Sequence, residues 1–487
     1  MTKKKTKILF VGAEAMPFAA TGGLGDVMGS LPSALQSEYG DAADIRVVLP
    51  LYSATGEIWK KKMEDVAVFE VPLAWRRQYC GIKRLEKDNV VFYFVDNEYY
   101  FKRDRIYGEF DDGERYAYFC RAVLEMLPHI GFYPDIIHAN DWQAAMSIVY
   151  LNRKYRHLKR YVPIKTVFTI HNIEYQGKYD FSILGDVFDL GDEDHSLMEY
   201  DGCINLMKAA IECADIVSTV SPRYAEEIRT PEYSHGLSNI LDIYSFKLCG
   251  ILNGIDYGYY DPEHDPVLKQ TYSADDQEGK YVDKKALQSD LGLPENKDIP
   301  VLAIISRLAS HKGLDLVTEI AYNLIGEDDV QLILLGTGEA RFEDFFRGLE
   351  TAYPDKVRAL IRYDRDLSRR IYASADIFIM PSKSEPCGLS QMIASRYGAI
   401  PVVRETGGLF DSIKGYWECD GEIKGNGFTF ANYSSAELLE RTRAAVALWR
   451  DSDKRRDLIK KIMDTDFSWS ASAKEYIEMY TSLLRRR

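Results

Sequence analysis

The chain has 487 residues, enough for about two to four domains, and 46% of them are hydrophobic, enough to fill a core in each. Its 61 Lys and Arg residues against 75 Asp and Glu give a net charge of -14, which excludes the basic surface typical of partners of nucleic acid or anionic membranes. The seven cysteines are scattered without a C-x-x-C pair and favour a reducing compartment, the cytoplasm, over a disulfide framework. No run approaches the roughly 18 apolar residues of a membrane span.

Short apolar runs bounded by polar residues, Gly or Pro recur along the chain, and most precede a longer helical pattern. The clearest are KILFVGA (7–13), DIIHA (135–139), KTVFTI (165–170), DIVSTV (215–220), PVLAIIS (300–306), QLILLG (331–336), DIFIMP (376–381) and IPVVR (400–404). Continuous runs of this kind indicate strands buried on both faces of a mostly parallel sheet. The pattern predicts an α/β protein of two Rossmann-like, doubly wound domains facing across a cleft.

The segment GILNGIDYGYYDPEHDP (250–266), rich in Gly, Pro, Asn and Asp, is the candidate domain boundary. We place the hinge near 253–262 and expect an N-terminal domain over 1–255 and a C-terminal domain over 256–470. From Ser434 onward the pattern is helical almost to the end. The last helix, 471–487, is expected to cross back onto the first domain.

Polar residues follow the predicted strands directly, where ligands bind in open parallel sheets. They are Asn140, Asp141 and Trp142 after DIIHA, His171 and Asn172 after KTVFTI, Arg307 and Lys312 after PVLAIIS, TGE after QLILLG, SKSEPCG after DIFIMP and ETGG after IPVVR. A His or Asp at such a position either points into a cleft or lies in the core with its hydrogen bonds made. The sequence leaves both interpretations open for His171 and Asp141. The clustering predicts a ligand site at these strand ends.

Nearly the same loop occurs twice, as TGGLGD (21–26) and as TGGLFD (406–411). Each copy lies in a turn that opens a helix, where glycines let the backbone approach a ligand and unpaired amides favour phosphate or sugar hydroxyls. A Gly-Gly turn required by chain geometry alone is the alternative for either copy. We expect the two loops to contribute to opposite walls of one cleft.

Charged side chains near the later strand ends suit a diphosphate leaving group. Arg307 and Lys312 would stabilise the negative charge that grows on the diphosphate as it departs. The alternative is that both are solvated surface charges. Glu385 would bind sugar hydroxyls or face an oxocarbenium-like transition state, or cap the next helix. Cys387 has no adjacent base, which favours a packed thiol over a nucleophile. Tyr363 would stack on a base or pack in the core.

Several enzyme classes lack their motifs here. The glycines at 23, 25 and 29 give G-x-G-x-x-x-G, one residue away from the dinucleotide fingerprint. The sequence contains no G-x-x-x-x-G-K-[ST], H-E-x-x-H or G-x-S-x-G pattern, which weakens the P-loop, zincin and α/β-hydrolase interpretations. We therefore predict neither a metal site nor a cofactor.

Blocks of sequence that occur in order over nearly the whole chain resemble the bacterial glycogen synthases and plant starch synthases, retaining glucosyltransferases that use a nucleotide-activated glucose. The blocks are FVGAEAMPFAATGGLGDVMGSLP (10–32), HANDWQAAM (138–146), TIHNIEYQG (169–177), STVSPRYAEEI (218–228), ILNGIDYGYYDPEHD (251–265), ISRLASHKGLDLV (305–317), LLGTGE (334–339), and MPSKSEPCGLSQM with ETGGLFDSI (380–413). The resemblance implies a B-type glycosyltransferase fold, with the donor held by the C-terminal domain and the glucan acceptor approaching from the N-terminal one.

The resemblance also implies roles for individual residues. Arg307 and Lys312 match the pair that neutralises the donor diphosphate, and Glu385 matches the essential carboxylate near the glucose. His171 and Asp141 match sugar-facing positions, and Asn253 falls in the hinge motif. The implied donor contacts are Gly23, Tyr363, Cys387, Gly388, Leu389, Thr406, Gly407 and Gly408.

The reaction implied by the resemblance is glucose transfer from ADP-glucose to the non-reducing 4-hydroxyl of an α-1,4-glucan, with retention and without a metal or a side-chain nucleophile. The implied location is the cytoplasm, or the plastid stroma for a mature plant-type enzyme. The alternatives are a related retaining transferase with UDP-glucose or a small acceptor such as a sugar phosphate, and a non-catalytic glucan-binding homologue. One position departs from the family, which commonly has Lys before the first TGGL, whereas this chain has Ala20. We expect weaker donor affinity or a relaxed nucleotide preference as the result.

Overall fold

The computed structural model of the protein describes residues 5–485. Over this range the chain forms two compact units. The first unit contains the chain up to Val220, the segment Ala225–Ile251 and the chain from Trp469 onward. The second unit contains Ser221–Tyr224 and Leu252–Ser468.

The first unit is built on a large, mostly parallel sheet with a small antiparallel sheet beside it. Its strands are β1 (Thr6–Val11), β2 (Ala43–Pro50), β3 (Glu64–Leu73), β4 (Arg76–Lys87), β5 (Val90–Asp96), β6 (Ile136–Asn140), β7 (Lys165–Ile170), β8 (Lys178–Tyr179), β9 (Glu199–Tyr200), β10 (Cys203–Asn205), β11 (Ile216–Thr219) and β12 (Leu248–Gly250). The order in the large sheet is β12-β11-β7-β6-β1-β2-β5-β4-β3, and β8, β10 and β9 form the small one.

Helices connect these strands. They are α1 (Gly23–Tyr39), α2 (Glu57–Lys60), α3 (Glu98–Phe101), α4 (Asp112–His129), α5 (Asp141–Tyr150), α6 (His195–Met198), α7 (Leu206–Cys213), α8 (Pro222–Glu227), of which Pro222–Tyr224 is assigned to the second unit, and α9 (Ser238–Ile243). In α1 the buried side chains of Leu24, Val27, Leu31 and Leu35 recur every three or four residues, so one face of the helix packs on the core. The strand β1 lies inside the sheet, with Ile8 to Val11 fully buried.

The second unit repeats the doubly wound plan. Its strands are β13 (Val301–Ile305), β14 (Gln331–Leu335), β15 (Val357–Leu360), β16 (Ile377–Met380), β17 (Ile400–Arg404), β18 (Trp417–Cys419), β19 (Glu422–Lys424) and β20 (Phe428–Phe430). Its helices are α10 (Glu278–Asp290), α11 (Leu314–Glu327), α12 (Ala340–Ala352), α13 (Arg365–Ser374), α14 (Ser390–Arg396), α15 (Gly407–Ser412), α16 (Ser435–Arg450) and α17 (Ser452–Met463). The strands β15-β14-β13-β16-β17-β20 pair in parallel, whereas β18 and β19 form a separate hairpin.

In both large sheets the direction in which successive strands are added reverses at one place. The sheet of the first unit runs β5-β2-β1 in one direction and β6-β7-β11 in the other, so its switch point lies between β1 and β6. The second unit has the same arrangement between β13 and β16. Ligands of such sheets bind at the carboxyl ends of the strands beside the switch point.

The C-terminal helix α18 (Trp469–Arg485) belongs to the first unit. Its buried residues Trp469, Tyr476 and Tyr480 share one hydrophobic core with α1 and β1. The hydroxyl of Tyr480 lies 2.7 Å from Nδ1 of His138 in β6. The last helix is therefore part of the first unit's fold.

The structure confirms the α/β class and the predicted parallel strands, each within a few residues of its expected bounds. The antiparallel edge formed by β3, β4 and β5 was not predicted from the sequence. β3 alternates partly buried and exposed residues over much of its length, so it lacks the continuous apolar run used to find the others. No helix within residues 5–485 has the length and apolarity that crossing a bilayer requires.

Candidate functional site

In the first unit, Asp141 joins the ends of β6 and β7. It is the first residue of α5 and has a φ of 57°, in the left-handed region that few non-glycine residues adopt. Its Oδ1 accepts a hydrogen bond from the His171 amide at 2.7 Å and lies 3.4 Å from the Asn172 amide. Burial raises the pKa of Asp141 to about 7, although these two amides act to lower it.

His171 lies beside Asp141 as a neutral imidazole. Burial lowers its pKa to about 3. Its Nε2 lies 2.9 Å from Oδ1 of Asn140, and the amide nitrogen of Asn140 donates to the Val11 and His138 carbonyls. Asn140 Oδ1 is therefore the acceptor, so the proton of His171 is on Nε2, and Nδ1 is left as a hydrogen-bond acceptor.

Glu14, which follows β1, holds the first TGGL loop. Its buried carboxylate accepts hydrogen bonds from the Thr21 amide, from the Thr21 hydroxyl at 2.7 Å and from the Gly22 amide at 3.3 Å. The Tyr107 hydroxyl donates to the same carboxylate at 2.6 Å. A Cβ placed on Gly22 or Gly23 would have nothing within 4 Å, so the space beside this loop is open.

In the second unit, Lys312 and Glu385 form an ion pair beside the switch point. Lys312 Nζ lies 2.6 Å from Glu385 Oε2, and the Ser382 hydroxyl donates to the same oxygen at 3.1 Å. Lys312 follows β13 and Glu385 follows β16, the two strands between which the winding reverses. Glu385 is buried, which strengthens the pairing relative to one in water.

The second TGGL loop packs against the turn that carries Glu385. A Cβ on Gly407, whose φ is 43°, would come closer than 3.0 Å to the Glu385 carbonyl, and one on Gly408 would do the same to Cys387. The Gly408 amide donates to the Glu385 carbonyl at 3.1 Å. Gly407 and Gly408 are required by packing within the unit, whereas Gly22 and Gly23 of the first loop are not. The Gly-Gly pairs of the two loops therefore have different physical reasons.

The remaining predicted residues of the second unit have varied surroundings. Arg307 is exposed, as is Tyr363 with 83% of its surface accessible. Cys387 is buried and burial raises the pKa of its thiol to about 12, so the thiolate is scarce at neutral pH. Asn253 is buried in the second unit, next to the unit boundary.

Three predicted donor contacts lie at helix starts. Gly388 has a φ of 70° in the turn before α14, and Leu389 immediately precedes that helix. Thr406 is buried and precedes α15. The structure thus brings Glu385, Lys312 and both glycine-rich turns of the second unit together, and it brings His171 and Asp141 together in the first.

Four polar residues that support these positions were not among the individual residues predicted for the site, namely Glu14, Tyr107, Ser382 and Gln391. Glu14 had a usable signal, since it follows the first predicted strand as closely as Asp141 follows its own. Tyr107 had none, because it lies 93 residues from its carboxylate partner. Among residues 5–485, no group of three or more His, Cys, Asp or Glu side chains could hold a metal ion.

Comparison with known proteins agrees with this organisation. Residues 7–243 match the family described as starch synthase catalytic domain, and residues 286–464 match glycosyl transferases group 1. The chain is 48% identical over 484 residues to glycogen synthases of Geobacillus thermodenitrificans and Geobacillus stearothermophilus, covering 99% of this chain and 98% of each relative.

A solved structure gives the same result. The catalytic domain of starch synthase IV from Arabidopsis thaliana, bound to ADP and acarbose, is 35% identical, with a TM-score of 0.88 over 99% of this chain and 100% of that one. Sequence identity and fold agree over almost the entire length. The chain therefore belongs to the family of bacterial glycogen synthases and plant starch synthases, glucosyltransferases of the B-type fold.

Proposed function

We propose that the protein transfers glucose from ADP-glucose to the non-reducing 4-hydroxyl of an α-1,4-glucan, with retention of configuration. Membership of the family establishes glucosyl transfer in glycogen or starch synthesis, and the proposal adds the nucleotide, the linkage and the stereochemistry. The starch synthase IV structure, bound to ADP and acarbose, supports the choice of nucleotide. The observation that carries the proposal is the Lys312–Glu385 pair at the second unit's switch point.

The second unit supplies groups suited to a departing diphosphate. Lys312 has a flexible side chain and, among residues 5–485, pairs with one carboxylate, so a phosphate oxygen can replace Glu385 as its partner. The guanidinium of Arg307 forms no hydrogen bond or ion pair with the residues that the structure describes, and it is exposed. Both cations would stabilise the charge on the diphosphate as the bond between glucose C1 and the phosphate oxygen breaks.

In this mechanism the diphosphate leaves first. The acceptor 4-hydroxyl then attacks C1 from the face that the diphosphate has left, which retains the configuration. Its proton passes to the leaving phosphate oxygen, so one C–O bond breaks and another forms without a covalent bond to the protein. Glu385, no longer held by Lys312, would bind glucose hydroxyls or oppose the positive charge that develops on the ring.

We assign hydrogen bonding to sugar hydroxyls to the first unit. Neutral His171 offers Nδ1 as an acceptor for a sugar hydroxyl at neutral pH. Asp141 holds the backbone amide of His171 and so fixes the start of the segment that carries the imidazole. The open space beside Gly22 and Gly23 leaves room for a ligand to approach that loop.

We also infer that the protein works in the cytoplasm. The Geobacillus relatives are bacterial, which supports the cytoplasm and gives no support to the plastid alternative. All seven cysteines are free thiols, as expected in a reducing compartment.

A steady-state assay with glycogen as primer tests the proposed reaction. ADP-glucose should give a kcat/KM at least about tenfold above that of UDP-glucose, and the product should carry only new α-1,4 linkages. Equal or higher efficiency with UDP-glucose would contradict the donor assignment. Release of nucleoside diphosphate with no glucan extension would contradict the synthase assignment.

A further inference from the structure

Gln391 connects the two glycine-containing turns of the second unit. It is the second residue of α14 and is fully buried. Its Nε2 donates to the carbonyl of Gly388 at 2.9 Å and lies 3.2 Å from that of Cys387. The same nitrogen lies 3.0 Å from the hydroxyl of Ser412, the last residue of α15. One carboxamide therefore links the turn at 387–388 to the end of α15.

The network continues through Ser412 to the second TGGL loop. The Ser412 hydroxyl donates to the Gly408 carbonyl at 2.6 Å, so its oxygen is free to accept from Gln391. The Gly408 amide donates back to the Glu385 carbonyl at 3.1 Å. These bonds close a ring that contains the turn after β16, the side chain of Gln391 and the start of α15.

The orientation of the Gln391 amide is fixed by its acceptors. The reverse orientation would place Oε1 against the Gly388 and Cys387 carbonyls, which repel it. In the observed orientation Oε1 is buried and has no hydrogen-bond partner among the described residues. An unpaired buried oxygen is unfavourable, and the contacts that Nε2 makes offset that cost.

We propose that Gln391 is a positioning residue for the donor. Its carboxamide fixes the spacing between the 387–389 turn and Gly407–Gly408, and thereby the fit of both turns to the donor diphosphate. The inference rests on the proposed function, because these turns are taken to contact the donor. Neither a carboxylate nor an apolar side chain of similar size can donate both to the 387–388 carbonyls and to Ser412.

The test compares Gln391→Met, which keeps the volume, and Gln391→Glu, which keeps the shape, in the full-length protein. Both should raise the KM for ADP-glucose at least about tenfold, a loss of about 1.4 kcal/mol of donor binding, and leave the KM for glycogen within about twofold. Ser412→Ala should raise the same constant by a smaller factor. It provides a second measurement if the Gln391 variants do not fold.

Ser395→Ala is the matched control, since Ser395 is buried on the same helix. Its hydroxyl donates to the backbone carbonyl of Gln391 at 2.8 Å and forms no hydrogen bond with either turn. It should leave both constants unchanged. Wild-type KM values in the Gln391 variants would overturn the inference, as would equal increases for donor and glycogen or an equal increase in Ser395→Ala. A wild-type protein that transfers no glucose would instead overturn the proposed function.

Discussion

Lys312 Nζ and Glu385 Oε2 lie 2.6 Å apart, so the cation assigned to the donor diphosphate is already paired with the carboxylate assigned to glucose. The Ser382 hydroxyl donates to the same oxygen and helps to hold it. In the proposed mechanism a donor phosphate takes the place of Glu385 at Lys312, and this exchange leaves Glu385 available to the sugar. The pair compensates the charge of the buried Glu385 with that of the partly buried Lys312.

Replacing Arg307 or Glu385 by Ala should lower kcat at least about a hundredfold, the effect of losing one well-placed charge in the transition state. Turnover of ADP-glucose on glycogen measures the effect. Arg456→Ala is a control because Arg456 is an exposed arginine of the same unit on α17. Near-normal turnover in both site variants would overturn the residue assignment.

The two TGGL loops should respond differently to the same substitution. Gly408→Ala should destabilise the protein or prevent folding, because its Cβ would overlap the Cys387 backbone. Gly23→Ala, at the open start of α1, should leave the melting temperature at or above that of the wild type, since a Cβ there meets no atom within 4 Å.

Despite its stability, Gly23→Ala should raise the KM for ADP-glucose at least about tenfold, because a methyl group there blocks the close approach of a ligand. Calorimetry and steady-state kinetics on the same preparation separate the two effects. Wild-type kinetics in Gly23→Ala would show that this glycine does not contact the donor.

Restoring the family's Lys tests the departure at Ala20, which is exposed beside Thr21. Ala20→Lys should lower the KM for ADP-glucose or sharpen the preference for ADP-glucose over UDP-glucose, since it adds a cation that can pair with a phosphate. Ala20→Met supplies similar length without charge and should change neither quantity. If donor KM, turnover and nucleotide preference are all unaltered in Ala20→Lys, the role assigned to this position is wrong.

The raised pKa of Asp141, to about 7, predicts a pH dependence of stability. Between about pH 3.9, the ordinary pKa of an aspartate, and about pH 7, this carboxyl group is protonated in the folded protein and ionised in the unfolded chain. The group therefore lowers stability as the pH rises through that window. Asp141→Asn removes this contribution, and Asn tolerates the positive φ. We expect the free energy of unfolding of Asp141→Asn, relative to that of the wild type, to increase by about 3 kcal/mol from pH 5 to pH 8.

Chemical denaturation of both proteins at several pH values measures this difference. His138 and His171, whose pKa values burial lowers to about 3, make stability rise with pH below about 6.5 in both proteins, and their contributions cancel in the comparison. A difference that does not change with pH would mean that Asp141 stays ionised in the folded protein.

The sequence predicted the architecture well because its inner strands are buried on both faces, and such strands appear as uninterrupted apolar runs. The same reason made four residues near strand ends identifiable from the sequence, since each follows one of those runs: Asp141, His171, Lys312 and Glu385. Gln391 and Tyr107 were not, because their roles depend on which backbone carbonyls or carboxylates the fold brings to them. The different reasons for the glycines at Gly23 and Gly408 likewise emerge only from the surrounding atoms.

The most direct test of the central claim is the structure of the full-length protein bound to ADP. We predict that the diphosphate lies within about 3.2 Å of Lys312 Nζ and the Arg307 guanidinium, with the contact between Lys312 and Glu385 lengthened or broken. A diphosphate bound away from Arg307, Lys312 and the Gly407–Gly408 loop would contradict the account.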